Sequence, residues 1–233
     1  MSEIARPDLV IFDCDGVLVE TERITLRVIA DWVDSLGVPM TAEDAARKYK
    51  GRDIEVIKAE VEAEIGREVP DFVSGYRSRM FEAFEAGIEP IPGAVDAIDA
   101  IERAGLAWCV ASNGPQIKMQ ASLSSAGLME RVGGLDRSTG SKVFSAYDVG
   151  KWKPEPDLFL FAARECGFDA DRCVVVEDST SGVEAALRAG MPCIAYADIT
   201  SAESLEAAGA TVVVTSMADV PTVFGVGAMG SRQ

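Results

Sequence analysis

The sequence predicts an α/β protein: a parallel sheet flanked by helices, with a helical subdomain inserted after the first strand. Three observations carry this reading. Short apolar runs alternate with amphipathic stretches, the pattern of parallel strands joined by crossover helices. The runs are continuously apolar rather than alternating, which means both faces of the sheet are covered. Between Glu22 and Gly87 that alternation stops and only helical periodicity is found. A length of 233 residues suits a core with a smaller companion, and we place the core at residues 1–19 and 90–233 and the helical cap at 20–89.

Residues 8–12 read as the first strand. In the helical segment, Ile24, Val28, Ile29, Trp32, Val33 and Leu36 form one stripe, closed by Gly37 and Pro39. Thr41 can cap a second helix with Glu43 and Asp44 in its first turn. Ile54, Ile57, Val61 and Ile65 make a third stripe, and Phe72, Val73, Tyr76, Met80 and Phe84 a fourth. A Gly- and Pro-punctuated linker, residues 87–93, ends the segment. The alternation then resumes. A helix over 94–103 precedes a strand at 106–111, and a helix over 115–126 ends at Gly127. A strand at 173–176 leads into a helix over 181–189, capped by Ser181 with Glu184 and stopped at Gly190. Strands at 193–196 and 211–214 complete the pattern. Residues 132–141 read as a surface loop and 225–233 as a frayed tail.

Composition narrows the function. The formal net charge is −16, which argues against nucleic acid as a partner. No apolar run reaches the ~18 residues of a membrane span, and residues 1–6 lack a signal-peptide core. We therefore expect a cytoplasmic protein, monomeric by default. The five cysteines have no paired spacing and read as buried, reduced thiols. Histidine is absent, which excludes Ser-His-Asp and Cys-His chemistry and leaves carboxylates, lysine and metal ions.

In open parallel sheets, ligands gather beyond the carboxyl ends of the strands. There stand Asp13-Cys14-Asp15-Gly16, Ser112-Asn113-Gly114 and Glu177-Asp178-Ser179. Taken singly, an Asp or Ser at a strand end is a turn former or helix cap. Three such clusters at one edge, with Lys153, point to a site. Crowded carboxylates repel one another unless a cation compensates them, and Asp13, Asp15, Glu177 and Asp178 offer the hard oxygens Mg²⁺ takes. Ser112 offers a hydroxyl to phosphate oxygens. Gly16 and Gly114 let backbone approach closely, and Lys153 would neutralise charge on a phosphoryl group.

These segments resemble the four motifs of the haloacid-dehalogenase-like phosphatase superfamily. The first is Asp13-Cys14-Asp15-Gly16-Val17-Leu18-Val19-Glu20-Thr21 and the second Val110-Ala111-Ser112-Asn113-Gly114. The third is Trp152-Lys153-Pro154-Glu155-Pro156-Asp157. The fourth runs from Val174 to Gly182, with Ala189-Gly190-Met191 after it. The insertion resembles the helical cap of the β-phosphoglucomutase-like branch. Residues 109–120 and 144–154 look most like bacterial 6-phosphogluconate phosphatase-like members. The resemblance implies a Rossmann-like parallel-sheet core. It implies Asp13 as the nucleophile that forms an aspartyl-phosphate, and Asp15 as general acid and base. It further implies Mg²⁺ on Asp13, the Asp15 carbonyl, Asp178 and Glu177, the last directly or through water. Phosphate would be bound by Gly16, Ser112, Asn113 and Lys153. Only the resemblance separates Asp13 from Asp15, and Lys153 from Lys151, which reads as a solvated charge.

The mutase relatives carry a histidine shortly after the first motif that this chain lacks, which weakens a phosphosugar-mutase alternative. Asp15 argues against the dehalogenase and phosphonatase branches. Among the charged cap residues Glu20, Arg23, Lys50, Arg52, Arg77 and Arg79, we single out Glu20 and Arg52 as substrate contacts. The expected reaction is Mg²⁺-dependent hydrolysis of a small phosphorylated sugar or sugar acid, possible members including 6-phosphogluconate. A non-catalytic binding module is the remaining alternative, disfavoured because every acidic group and Lys153 is present.

Overall fold

A computed structural model of the chain describes residues 4–50, 52 and 54–227. The chain divides into two compact units, Met1–Val19 with Glu89–Gln233, and Glu20–Ile88.

The first unit is built on six parallel strands: β1 (Leu9–Phe12), β2 (Ala107–Ser112), β3 (Val143–Ser145), β4 (Cys173–Glu177), β5 (Cys193–Tyr196) and β6 (Val212–Val214). Their order is β3-β2-β1-β4-β5-β6. The chain thus steps outward from β1 to one side, then returns to β4 and steps outward to the other. The strand order reverses beside β1, and a crevice at the carboxyl ends belongs there. Leu9, Ile11, Cys109, Val175 and Cys193 share an apolar cluster with Leu158, Phe159 and Val183. Val10, Phe12, Val110, Val174 and Val176, which alternate with them, are buried too. Both faces are therefore covered, as the continuous apolar runs predict.

The helices take the numbers α1 (Glu22–Ser35), α2 (Ala42–Tyr49), α3 (Ile54–Ile65), α4 (Phe72–Glu85), α5 (Ala94–Arg103), α6 (Gln116–Ser125), α7 (Ala146–Val149), α8 (Asp157–Glu165), α9 (Thr180–Arg188), α10 (Ala202–Ala207) and α11 (Val220–Val223). Among the described residues, none is long and apolar enough to cross a membrane.

The second unit consists of α1 to α4. Ile29, Trp32, Val33, Val61 and Phe72 form its core, and the Trp32 indole donates to the Phe72 carbonyl at 3.1 Å. The buried face of α1 is turned from the expected stripe. Leu26 and Ala30 are buried, while Ile24 and Val28 are half-exposed. Thr41 caps α2 as expected, its hydroxyl accepting from Asp44 N while the Asp44 carboxylate accepts from Thr41 N.

Three expectations need correction. Helix α9 is capped by Ser179, whose Oγ accepts from Gly182 N at 3.0 Å, and not by Ser181 with Glu184. Ser181 already lies within the helix, at its second position after Thr180. Residues 132–141 are not wholly a surface loop: Val132 is buried, and its carbonyl accepts from Lys142 N at 2.8 Å. Strand β3 was not anticipated; at three residues it is too short to leave an apolar run. Of the expected tail, residues 228–233 lie outside the described residues. The described cysteines are unpaired thiols, buried except for the half-buried Cys166.

Candidate active site

The register sets the site. Phe12 stands opposite Val110 on β2 and Val176 on β4, so Asp13 emerges level with Ala111 and Glu177. Its N–H donates to the Val176 carbonyl at 2.9 Å, which extends the ladder by one bond. Asp13, Ser112 and Glu177 are all buried.

Lys153 ties the three strand ends together. Its Nζ donates to Asp13 Oδ1 at 2.5 Å, to Glu177 Oε1 at 2.7 Å and to the Ala111 carbonyl at 2.9 Å. Its side chain is 2% exposed. The backbone is held as well, Lys153 N donating to Asn113 Oδ1 at 2.9 Å. Burial alone would discharge this ammonium, but Asp13 and Glu177 hold its pKa above the ordinary lysine range. For Asp13 the balance goes the other way. Burial, with the charges of Glu177 and Asp15, raises its carboxyl to about 7 against the pull of Lys153.

Glu177 was expected among the metal ligands, directly or through water, and in this structure protein donors engage both of its oxygens. Oε1 accepts from Lys153, while Oε2 accepts from the N–H groups of Asp178 and Ser179 and from Ser179 Oγ, at 2.8–2.9 Å. Both oxygens are engaged within the protein, so Glu177 anchors Lys153 and the β4–α9 turn. Gly182 makes room for it: a Cβ there would fall 1.9 Å from Glu177 Cδ. Gly16 has a φ of +79°, and a Cβ on it would fall 2.3 Å from Asp178 Oδ2, so the first loop and the Asp178 carboxylate lie against each other.

On the β2 side, Ser112 Oγ accepts from Gly114 N at 3.1 Å. Ser145, at the end of β3, donates from Oγ to the Gly114 carbonyl at 2.7 Å. Asp15 Oδ2 accepts from Lys118 Nζ at 2.8 Å. Sequence reasoning assigned no role to Ser145, Lys118, Ser179 or Gly182. The last two lie inside the fourth motif, and Lys118 inside the stretch that resembles sugar-acid phosphatases, so their positions were in view without their contacts.

The structure thus brings together Asp13, Asp15, Gly16, Ser112, Asn113, Lys153, Glu177 and Asp178. Lys151 is apart, exposed and paired with Asp157 at 3.4 Å. Glu20 and Arg52 belong to the helical unit and are engaged within it. Glu20 accepts from Arg23 at 2.7 Å, and Arg52 makes a two-pronged pair with Glu60 at 2.5 and 3.1 Å. Gly51, which precedes Arg52, lies outside the described residues.

The donor chemistry fits a divalent cation. Four carboxylates (Asp13, Asp15, Glu177, Asp178) accompany two ammonium groups (Lys118, Lys153), an excess of two negative charges carried on hard oxygens. Among the described residues, no three His, Cys, Asp or Glu side chains make a ready cage. A cation here would draw on backbone oxygen beside Asp13 and Asp178.

A family model, haloacid dehalogenase-like hydrolase, matches residues 7–190. The chain belongs to that family. Among its relatives, this hydrolase is 30% identical over 192 residues to 6-phosphogluconate phosphatase of Escherichia coli (strain K12), covering 81% of each chain. It is 30% identical over 190 residues to a phosphorylated carbohydrates phosphatase of Thermotoga maritima, covering 79% of this chain and 82% of that one. Among solved structures it resembles a HAD family hydrolase of Deinococcus radiodurans R1 crystallised with bound phosphate and sodium, with a TM-score of 0.79 and 30% identity over 94% of this chain and 95% of that one.

Proposed function

We propose that this hydrolase is a Mg²⁺-dependent phosphatase that cleaves a small phosphorylated sugar or sugar acid by way of a phosphoryl group held on Asp13. The observation that carries the reading is the buried set of Asp13, Lys153 and Glu177 at the strand-order reversal, with Asp15 two residues beyond. Asp13, Asp178 and the Asp15 carbonyl would hold Mg²⁺, which when bound offsets negative charge and lets a phosphate dianion approach.

Asp13 Oδ attacks phosphorus as the bond from phosphorus to the ester oxygen breaks. Asp15 gives that departing oxygen its proton. Asp15 then takes a proton from water as the water oxygen bonds to phosphorus and the bond from Asp13 to phosphorus breaks. Lys153 spreads its charge over the transferring oxygens, and Ser112 with nearby N–H groups orients them. Glu177 and Asn113 keep Lys153 in place throughout.

Two relatives are named for phosphorylated carbohydrates, which supports sugar phosphates and sugar-acid phosphates as the substrate class and makes 6-phosphogluconate the first ester to try. The test is phosphate release from a panel of such esters with Mg²⁺ and with EDTA. Release that requires Mg²⁺ and is abolished by Asp13→Asn is expected. Release that persists in EDTA, or in Asp13→Asn, would overturn the reading. A thermal shift gives a second readout for the metal: Mg²⁺ should raise the melting temperature of the wild type and not of Asp178→Asn.

A further inference from the structure

We propose that Lys118 is a positioning residue, holding the Asp15 carboxylate in the orientation from which it delivers and collects its proton; this rests on the phosphatase reading above. Lys118 lies in the first turn of α6, two residues past Gln116, where the helix starts after Pro115. That end of a helix carries partial positive charge and opposes a cation, and α6 has no acidic residue in its first turn. Helix electrostatics therefore do not account for a lysine there. Its ammonium instead reaches Asp15, 103 residues away in sequence, at 2.8 Å. The pair is partly shielded, the two side chains being 21% and 24% exposed.

The pair lies alongside Gly114: a Cβ at that position would meet Lys118 Cδ at 3.6 Å and Asp15 Oδ2 at 3.7 Å, ordinary van der Waals contact. The lysine stem thus passes beside this backbone to meet the carboxylate.

The chemistry of the contact assigns the two Asp15 oxygens. An ammonium donates and cannot accept, so Oδ2, which Lys118 holds, is not the oxygen that carries the transferable proton. We assign that task to Oδ1. In the first step the Oδ1–H bond breaks and its proton goes to the ester oxygen as that oxygen leaves phosphorus. In the second, a water proton returns to Oδ1 as the water oxygen bonds to phosphorus and Asp13 is released. Without Lys118 the carboxylate could rotate and present the wrong oxygen, and misplacement of a reacting group by ~1 Å can cost on the order of 100-fold.

The experiment compares Lys118→Met and Lys118→Arg on two esters. One is the sugar phosphate turned over fastest, whose alkoxide needs a proton to leave. The other is 2,4-dinitrophenyl phosphate, whose phenolate leaves without one. Lys118→Met should lower kcat/KM roughly 10- to 100-fold on the sugar phosphate, with kcat falling and KM little changed, and barely affect kcat/KM on the aryl ester; kcat/KM reports the first step alone, whereas the second step calls on Asp15 for either ester. Lys118→Arg should recover part of the loss. In an Asp15→Asn background, Lys118→Met should cost nothing further. Equal losses of kcat/KM on both esters, a rise in KM alone, or a further loss on top of Asp15→Asn would each overturn the proposal; a rise in KM alone would make Lys118 a substrate contact. Should Lys118→Met fail to fold, Lys118→Gln carries the same comparison. Wild type active on both esters with Asp13→Asn inactive isolates a failure of the Lys118 assignment from a failure of the phosphatase reading. A wild type inactive on every ester overturns both.

Discussion

Glu177 shows how much at this site is decided by single atoms. It is 1% exposed and both of its oxygens are engaged, so its charge is tolerable only with Lys153 and the β4–α9 turn in place. Lys153→Met removes the one ammonium that balances two buried carboxylates. We predict a loss of about 3–5 kcal/mol in urea unfolding, the range for breaking a buried pair by deleting one partner, together with loss of turnover. Gly182→Ala drives a Cβ into the Glu177 carboxylate. The expected cost is about 1–3 kcal/mol, with a drop in turnover that a remote overpacked position would not cause. The positions of Asp13, Asp15 and Ser112 were legible in the sequence because apolar runs stand before them; Lys153 follows no strand, and only its place in the third motif separated it from Lys151. The partners of Glu177 were not legible, since a Glu-Asp-Ser sequence does not say which side chain turns inward to Lys153 and which hydroxyl caps the helix.

At the scale of elements, caps and short strands fix the loops that carry the chemistry. Ser179 serves twice, capping α9 through Gly182 N and donating to Glu177 Oε2. Ser179→Ala should therefore cost more than the ~1 kcal/mol of an ordinary cap, and Thr41→Ala, which removes the cap of α2 in the other unit, is the reference. Unfolding in urea of the two variants makes the comparison, and equal losses would contradict the dual role. Thr41 was readable from sequence because a single Thr stands before the helix with Asp three residues on. Ser179 was displaced by two residues because Ser181 and Glu184 satisfy the same spacing. Strand β3 escaped notice for another reason. Its three residues Val143–Ser145 take their strand character from pairing with β2, a non-local contact that leaves no periodicity. Its terminal Ser145 nevertheless holds the Gly114 carbonyl, so the shortest strand on that side helps fix the Ser112–Gly114 loop.

For the molecule as a whole, topology and charge act together. Motifs more than 160 residues apart in the chain meet because β1 lies between β2 and β4, an order the sequence does not state but that the alternation of strands and helices permits. Fold class and the helical insertion were legible at that level; strand order and the turn of the buried face of α1 were not, because they depend on packing between elements. The net charge of −16 repels a phosphate dianion at long range. Screening shortens the Debye length from ~30 Å at 0.01 M to ~8 Å at 0.15 M ionic strength, so kcat/KM for a sugar phosphate should rise over that interval at fixed saturating Mg²⁺, with kcat steady. A fall in kcat/KM would mean that local cations, and not the global charge, govern capture.

The central claim is that Asp13 carries the phosphoryl group during turnover. It is tested most directly by quenching the wild-type enzyme in acid while it turns over a ³²P-labelled sugar phosphate with Mg²⁺, then locating the label by peptide mass spectrometry. We predict one phosphoryl group on the peptide bearing Asp13, absent in Asp13→Asn and absent when the substrate is exhausted. Full turnover with no label on Asp13, or label on another residue, would contradict the account.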